Sequence, residues 1–139
     1  MLTQHQKELV QSTWTQVMPI RDAAASLFYE ALFERDPSLR HLFPADLEAQ
    51  KRKLMAAVSA AVVGLNHLDQ LAPTLRDMGR AHATYGVQDH HYGTVGAALL
   101  WTLERGLGER WSPEAAEAWT AAYTLLADTM REGAEALTA

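Results

Sequence analysis

No cysteine occurs in the 139 residues. That absence excludes disulfides, iron–sulfur clusters, thiolate nucleophiles, cysteine-bearing zinc sites and covalent cofactor attachment through C-x-x-C-H. Any cofactor must be held by histidine, carboxylates or packing. No apolar run approaches about 18 residues, and the start MLTQHQKELVQ lacks the basic-then-apolar layout of a signal peptide. A cytoplasmic protein without a membrane partner is expected. Charge of neither sign accumulates in a long run: 12 basic and 17 acidic residues give a net charge of −5, with no nucleic-acid footprint. Strand signals are missing as well, since β-branched alternation is absent. What remains is long enough for one domain, 1–139, with a real core.

Apolar residues recur three and four apart almost throughout, in a background of Ala, Leu, Glu and Gln, and the pattern predicts six main helices. Thr3 and Gln6 make a capping box for the first, whose stripe Leu9, Val10, Trp14 and Val17 ends before Pro19. A second helix runs from about Ile20 to Arg35. PSLRHLFP, bracketed by Pro37 and Pro44, is one tight turn. The third spans about Leu47 to Leu65 behind Asp46, and a shorter fourth starts between Asp69 and Pro73 and stops near Gly86. The fifth covers about His90 to Leu107, and the sixth opens on Ser112 as cap with Pro113 at its first position.

Three polar residues interrupt the apolar stripes. In the fourth helix Leu71, Leu75 and Met78 step by four and three, and the next step of four lands on His82. In the third, Gln50 takes a place within the stripe Leu47, Leu54, Val58, Ala61 and Leu65. In the second, Tyr29 lies between Ala25 and Leu32, next to Phe28 and Phe33. Singly, each has a plain explanation: a core histidine on a backbone carbonyl, a glutamine at a frayed helix start, a phenol reaching the surface. An unpartnered buried polar group costs about 1–3 kcal/mol, and a ligand shared by all three would satisfy them together.

Four stretches in this order and spacing, LFYEALFERDPSLRHLF (27–43), QKRKLM (50–55), RAHATYGVQDHHYGTVG (80–96) and AWTAAYTLLA (118–127), resemble a single-domain bacterial globin, similar to the globin module of flavohaemoglobins. The resemblance covers nearly the whole chain. It implies an all-α globin fold enclosing non-covalent haem b, with His82 as the proximal iron ligand and Tyr29 and Gln50 as the distal pair. Phe28, Phe43, Leu54, Met78, Val87, Tyr92 and Val95 would line the cofactor, Tyr92 supporting His82. His90 and His91 would begin the next helix.

A neutral imidazole supplies one strong axial bond, and its second nitrogen would donate to a carbonyl such as that of Met78 or Leu75. The resemblance then implies reversible, high-affinity binding of O2, NO and CO, serving NO removal with a separate reductase or oxygen delivery. Lys53, in the basic trio Lys51, Arg52 and Lys53, would either pair with a haem propionate or sit on a solvated face. His5, His41 and His67 read as surface residues. Flavohaemoglobins add a proximal Glu in the last helix, but counting from Tyr123 the matching position is Ala134. Glu132 and Glu135 lie roughly 180° and 120° away around that helix. Two other functions fit the composition. A haem-free, partner-binding module of the same fold would leave His82 without a use. A zinc site on His82, His90 and His91 would need ligands from both sides of the Gly86 break and has no H-E-x-x-H pattern.

Overall fold

The computed structural model describes residues 2–138, with side chains to residue 135. Helix α1 (Gln4–Val17) begins at the expected capping box, in which the Gln6 N–H donates to Thr3 Oγ1 and the Thr3 N–H to Gln6 Oε1. Helices α2 (Arg21–Arg35), α3 (Glu48–Val63), α4 (Leu68–Thr84), α5 (Asp89–Leu107) and α6 (Pro113–Thr138) follow, joined by short 3-10 turns and corners. The turn Pro37–Leu42 stands where the two prolines bracket the chain. Asp46 Oδ1 accepts the Glu48 N–H at the start of α3, and Ser112 Oγ accepts the Ala115 N–H at the start of α6. Each satisfies an amide left without an intrahelical partner.

Helix α4 departs from expectation. It has 17 residues, one more than α3, and Pro73 lies inside it. The proline removes only the bond to the Asp69 carbonyl, so the first turn forms ahead of it.

The main core gathers Val10, Trp14, Val17, Leu65, Leu103, Leu107 and Trp119 from α1, the turn after α3, α5 and α6. Both indoles are satisfied, Trp119 Nε1 donating to Thr13 Oγ1 at 2.8 Å and Trp14 Nε1 to Ser59 Oγ at 2.9 Å. A second cluster, centred on Phe28, Tyr29, Leu32, Leu39 and Ala98, joins α2 to α5 and is edged by half-buried Phe33, Leu42, Phe43, Leu54, Val95 and Trp101.

Helix α4 packs chiefly on α6. The two backbones meet at a reciprocal pair of glycines: a Cβ on Gly79 would come within 3.0 Å of the Met130 carbonyl, and one on Gly133 within 3.0 Å of the Arg76 carbonyl. Neither carbonyl can yield without moving its helix. Glycine is therefore required at both places, and α4 is held on α6.

Candidate functional site

His82 lies one turn beyond Gly79, near the C-terminal end of α4, and is half-buried. Its Nδ1–H donates to the Met78 carbonyl at 2.6 Å. Of the two carbonyls the sequence allowed, the one four residues back on the same helical face is used. That bond fixes the tautomer and ring plane and leaves Nε2 with the lone pair. The chain then turns: the Val87 N–H donates to the His82 carbonyl at 3.0 Å, and Gly86 takes φ 98°, a region that strains other residues.

Tyr29 of α2 is 4% exposed. Its ring is packed by Phe28, Phe33 and Phe43 at centroid distances of 5.1, 5.8 and 5.6 Å. Burial pushes the phenol's pKa up, and the hydrogen bond with the Gln50 amide opposes this. The hydroxyl therefore keeps its proton across the physiological range. Gln50 is half-buried in the first turns of α3, above Leu54. Of the basic trio, Lys51 is the one held down, its side chain 22% exposed and its Nζ 3.4 Å from Glu48 Oε1. Lys53 is exposed.

Tyr92 of α5 is buried and its hydroxyl has no hydrogen-bond partner. Burial raises its pKa, while the Arg131 guanidinium, 5.0 Å from the ring centroid, lowers it. Tyr123 of α6 donates its hydroxyl to the Tyr92 carbonyl at 2.7 Å and lays its ring on Gly96, where a Cβ would not fit. Ala134 indeed occupies the in-phase position on α6, and Glu132 pairs with Arg76 at 3.5 Å. The cation Arg131 of α6 lies over the Tyr92 ring and is itself tied to Asp89 at 2.9 Å.

His82 and Met78 lie on α4, joined by their hydrogen bond, while Tyr29 packs with Phe28 and Phe43 in the second cluster, edged by Leu54 and Val95; Gln50 is on α3, Val87 at the α4–α5 corner and Tyr92 on α5. The zinc set is not assembled. Among the described residues, the group with ligand atoms within 4.8 Å of one another is Asp36, His90 and His91, without His82. His5, His41 and His67 are exposed as expected. Sequence reasoning missed Gly79, Gly133, Arg131 and the burial of His91. Only the glycines carried a signal, being helix-interior glycines with no turn to explain them.

The chain is 32% identical to a flavohemoprotein from Vibrio cholerae, over 96% of its own length and 35% of the relative's. It therefore spans about a third of the curated flavohemoproteins it matches. Among solved structures it superposes on an engineered carbene transferase from Rhodothermus marinus, described as a candidate nitric oxide dioxygenase. The TM-score is 0.88 at 28% identity, covering 99% of this chain and 96% of that one. A bacterial globin from Campylobacter jejuni shares the fold, with a TM-score of 0.85 at 20% identity and coverage of 98% and 99%. Residues 26–130 match the Globin family model, and by that match, on a fold of six helices, the chain belongs to the globin family.

Proposed function

We propose that this globin holds non-covalent haem b between α4 and the α2–α3 pair and binds O2, NO and CO there with high affinity. The observation that carries the reading is the His82 ring, half-buried, with Nδ1 committed to the Met78 carbonyl and Nε2 left to ligate. The other residues fit a flat apolar macrocycle: Phe43, Leu54, Val87 and Val95 are half-buried, and half-buried apolar side chains flanking a slot suit a partner that covers them. Exposed Lys53 on α3 would be the partner of a propionate. When bound, haem supplies an iron centre for diatomic ligands.

The chain's own residues do the rest. Tyr29, protonated and fixed by three aromatic rings, donates to a polar acceptor on the distal side, and the Gln50 amide offers a second donor. The apolar cluster around Tyr29 keeps water from its hydroxyl and so strengthens that bond. Donors to bound O2 slow its release. The same pair serves NO removal, in which NO and O2 combine with one electron to give nitrate. A separate reductase would supply that electron. The Rhodothermus marinus neighbour, described as a candidate nitric oxide dioxygenase, favours this use over simple oxygen delivery.

Absorption spectra of the purified protein, oxidised, reduced and with CO, test the reading. Haem bands are expected in the wild type, with uptake lost in His82→Ala and regained with added imidazole. An unchanged reduced spectrum in His82→Ala would move the ligand elsewhere.

A further inference from the structure

His91 is 7% exposed, unlike its neighbour His90, and nothing in the haem site uses it. It is the third residue of α5 and completes a capping box with Gln88: the Gln88 N–H donates to His91 Nδ1 at 2.8 Å. This is the position at which Glu or Gln ordinarily reaches back to the cap amide. An imidazole can do so only while Nδ1 carries no proton. The single proton of the neutral ring then sits on Nε2, which faces Asp36 Oδ2 at 3.9 Å. Asp36 in turn caps the turn Pro37–Leu42, its Oδ1 accepting from the Ser38 amide and hydroxyl.

His91 thus joins the corner that follows His82 to the turn that leads into Phe43. We propose that neutral His91 is the positioning residue that locks this corner, Tyr85 to Asp89, and that its protonation unlocks it. A proton on Nδ1 would point a second donor at the Gln88 N–H, and the cap would be lost. The corner bears Val87, and its loosening reaches back to the end of α4. The proposal concerns the polypeptide and stands whether or not haem is bound.

The charged groups facing His91 are Asp36 from the turn and His90 from its own helix; Arg131 of α6 is engaged with Asp89 and Asp128. Burial and His90 hold His91 below the ordinary histidine pKa, and Asp36 opposes them. Asp36 stays charged throughout, since the Ser38 hydroxyl keeps its pKa low. A lowered folded-state pKa means that the lock is complete above the unfolded value of about 6.5 and is lost as pH falls through the folded value. The trio Asp36, His90 and His91 does not suit a metal in this arrangement, because a ligating histidine donates through its second nitrogen and His91 accepts there.

Amide exchange and histidine titration by NMR on the purified protein, corrected for intrinsic exchange, give the test. Protection of the Gln88 amide should fall about five- to tenfold in step with His91 protonation. In His91→Gln, which reaches back without titrating, protection should persist through the acid range. In His91→Ala it should be low at every pH, and in Asp36→Asn the transition should move to lower pH. Gln88 protection that ignores the His91 titration, or an acid transition unchanged in His91→Gln, would overturn the proposal. So would stabilisation by equimolar Zn2+ that vanishes in Asp36→Asn, which would make the trio a metal site.

Discussion

Replacing Tyr29 by Phe removes one oxygen atom from a ring that three aromatic neighbours hold in place. The packing survives, so the substitution isolates the donor. The lost hydrogen bond with Gln50 frees an amide that is only half-buried and can turn to water, which limits the stability loss to about 1 kcal/mol or less. The effect on O2 is larger. A phenol donating to a partly charged acceptor contributes roughly 1.5–3 kcal/mol, and an amide sharing that acceptor nearer 1 kcal/mol. At about 1.4 kcal/mol per decade, Tyr29→Phe should speed O2 release roughly ten- to hundredfold and Gln50→Leu about fivefold. CO carries little charge when bound and should respond far less. Because the two side chains touch, the double variant should fall short of the product of the single effects. Stopped-flow release of O2 and CO from the four proteins measures all of this. Unchanged O2 release in Tyr29→Phe, or an equal shift for CO, would make Tyr29 a packing residue and sink the distal mechanism.

Gly133→Ala should force α4 and α6 apart and cost about 1–3 kcal/mol, lowering Tm by roughly 3–12 °C, whereas Gly93→Ala on α5, with no atom near the added methyl, should stabilise slightly; equal Tm values by calorimetry would mean that the helices slide freely. The buried phenols Tyr29, Tyr92 and Tyr123 all have raised pKa values, chiefly through burial. Their stabilising effect is complete below the unfolded value of about 10 and is lost as pH rises through the folded values. Folding free energy followed across that range should therefore decline, and the decline should shrink in Tyr123→Phe; a flat profile would contradict the burial.

Most of the helices were legible because the stripe is interrupted by a specific polar residue or the helix begins at a capping side chain that can be named, such as Thr3, Asp46 and Ser112. His82 was legible for the same reason, as an imidazole in phase with Leu71, Leu75 and Met78. The length of α4 was not, since Pro73 reads as a start when taken alone and only the packed helix shows that one missing N–H near its beginning is tolerated. His91 was read only as the beginning of a helix. Its burial depends on Asp36, 55 positions earlier in the chain, and no local pattern announces that meeting. The glycine pair is a still longer-range fact: Gly79 and Gly133 look like weak points in two helices until the helices cross.

That crossing bears on one half of the proposed site. Helix α6 braces α4 and Tyr92 through three contacts: the glycine notch under α4, the Tyr123 hydroxyl on the Tyr92 carbonyl, and Arg131 over the Tyr92 ring. The proposed distal donors rest instead on α2 and α3, Tyr29 being stiffened by Phe28, Phe33 and Phe43. Helix α2 packs mainly on α5 and α3, so strain introduced at α6 has no direct path to Tyr29. Gly133→Ala should therefore loosen His82 and speed haem loss to an acceptor protein, while Tyr29→Phe should act on O2 release alone. In the combined variant the two effects should add within about 0.5 kcal/mol, as expected for sites without shared partners. Haem transfer and O2 release measured on the two single variants and the double give the coupling directly. If Gly133→Ala altered the response of O2 release to Tyr29→Phe by tenfold, the proximal and distal walls would be one mechanical unit, and the independence inferred from the helix packing would be wrong.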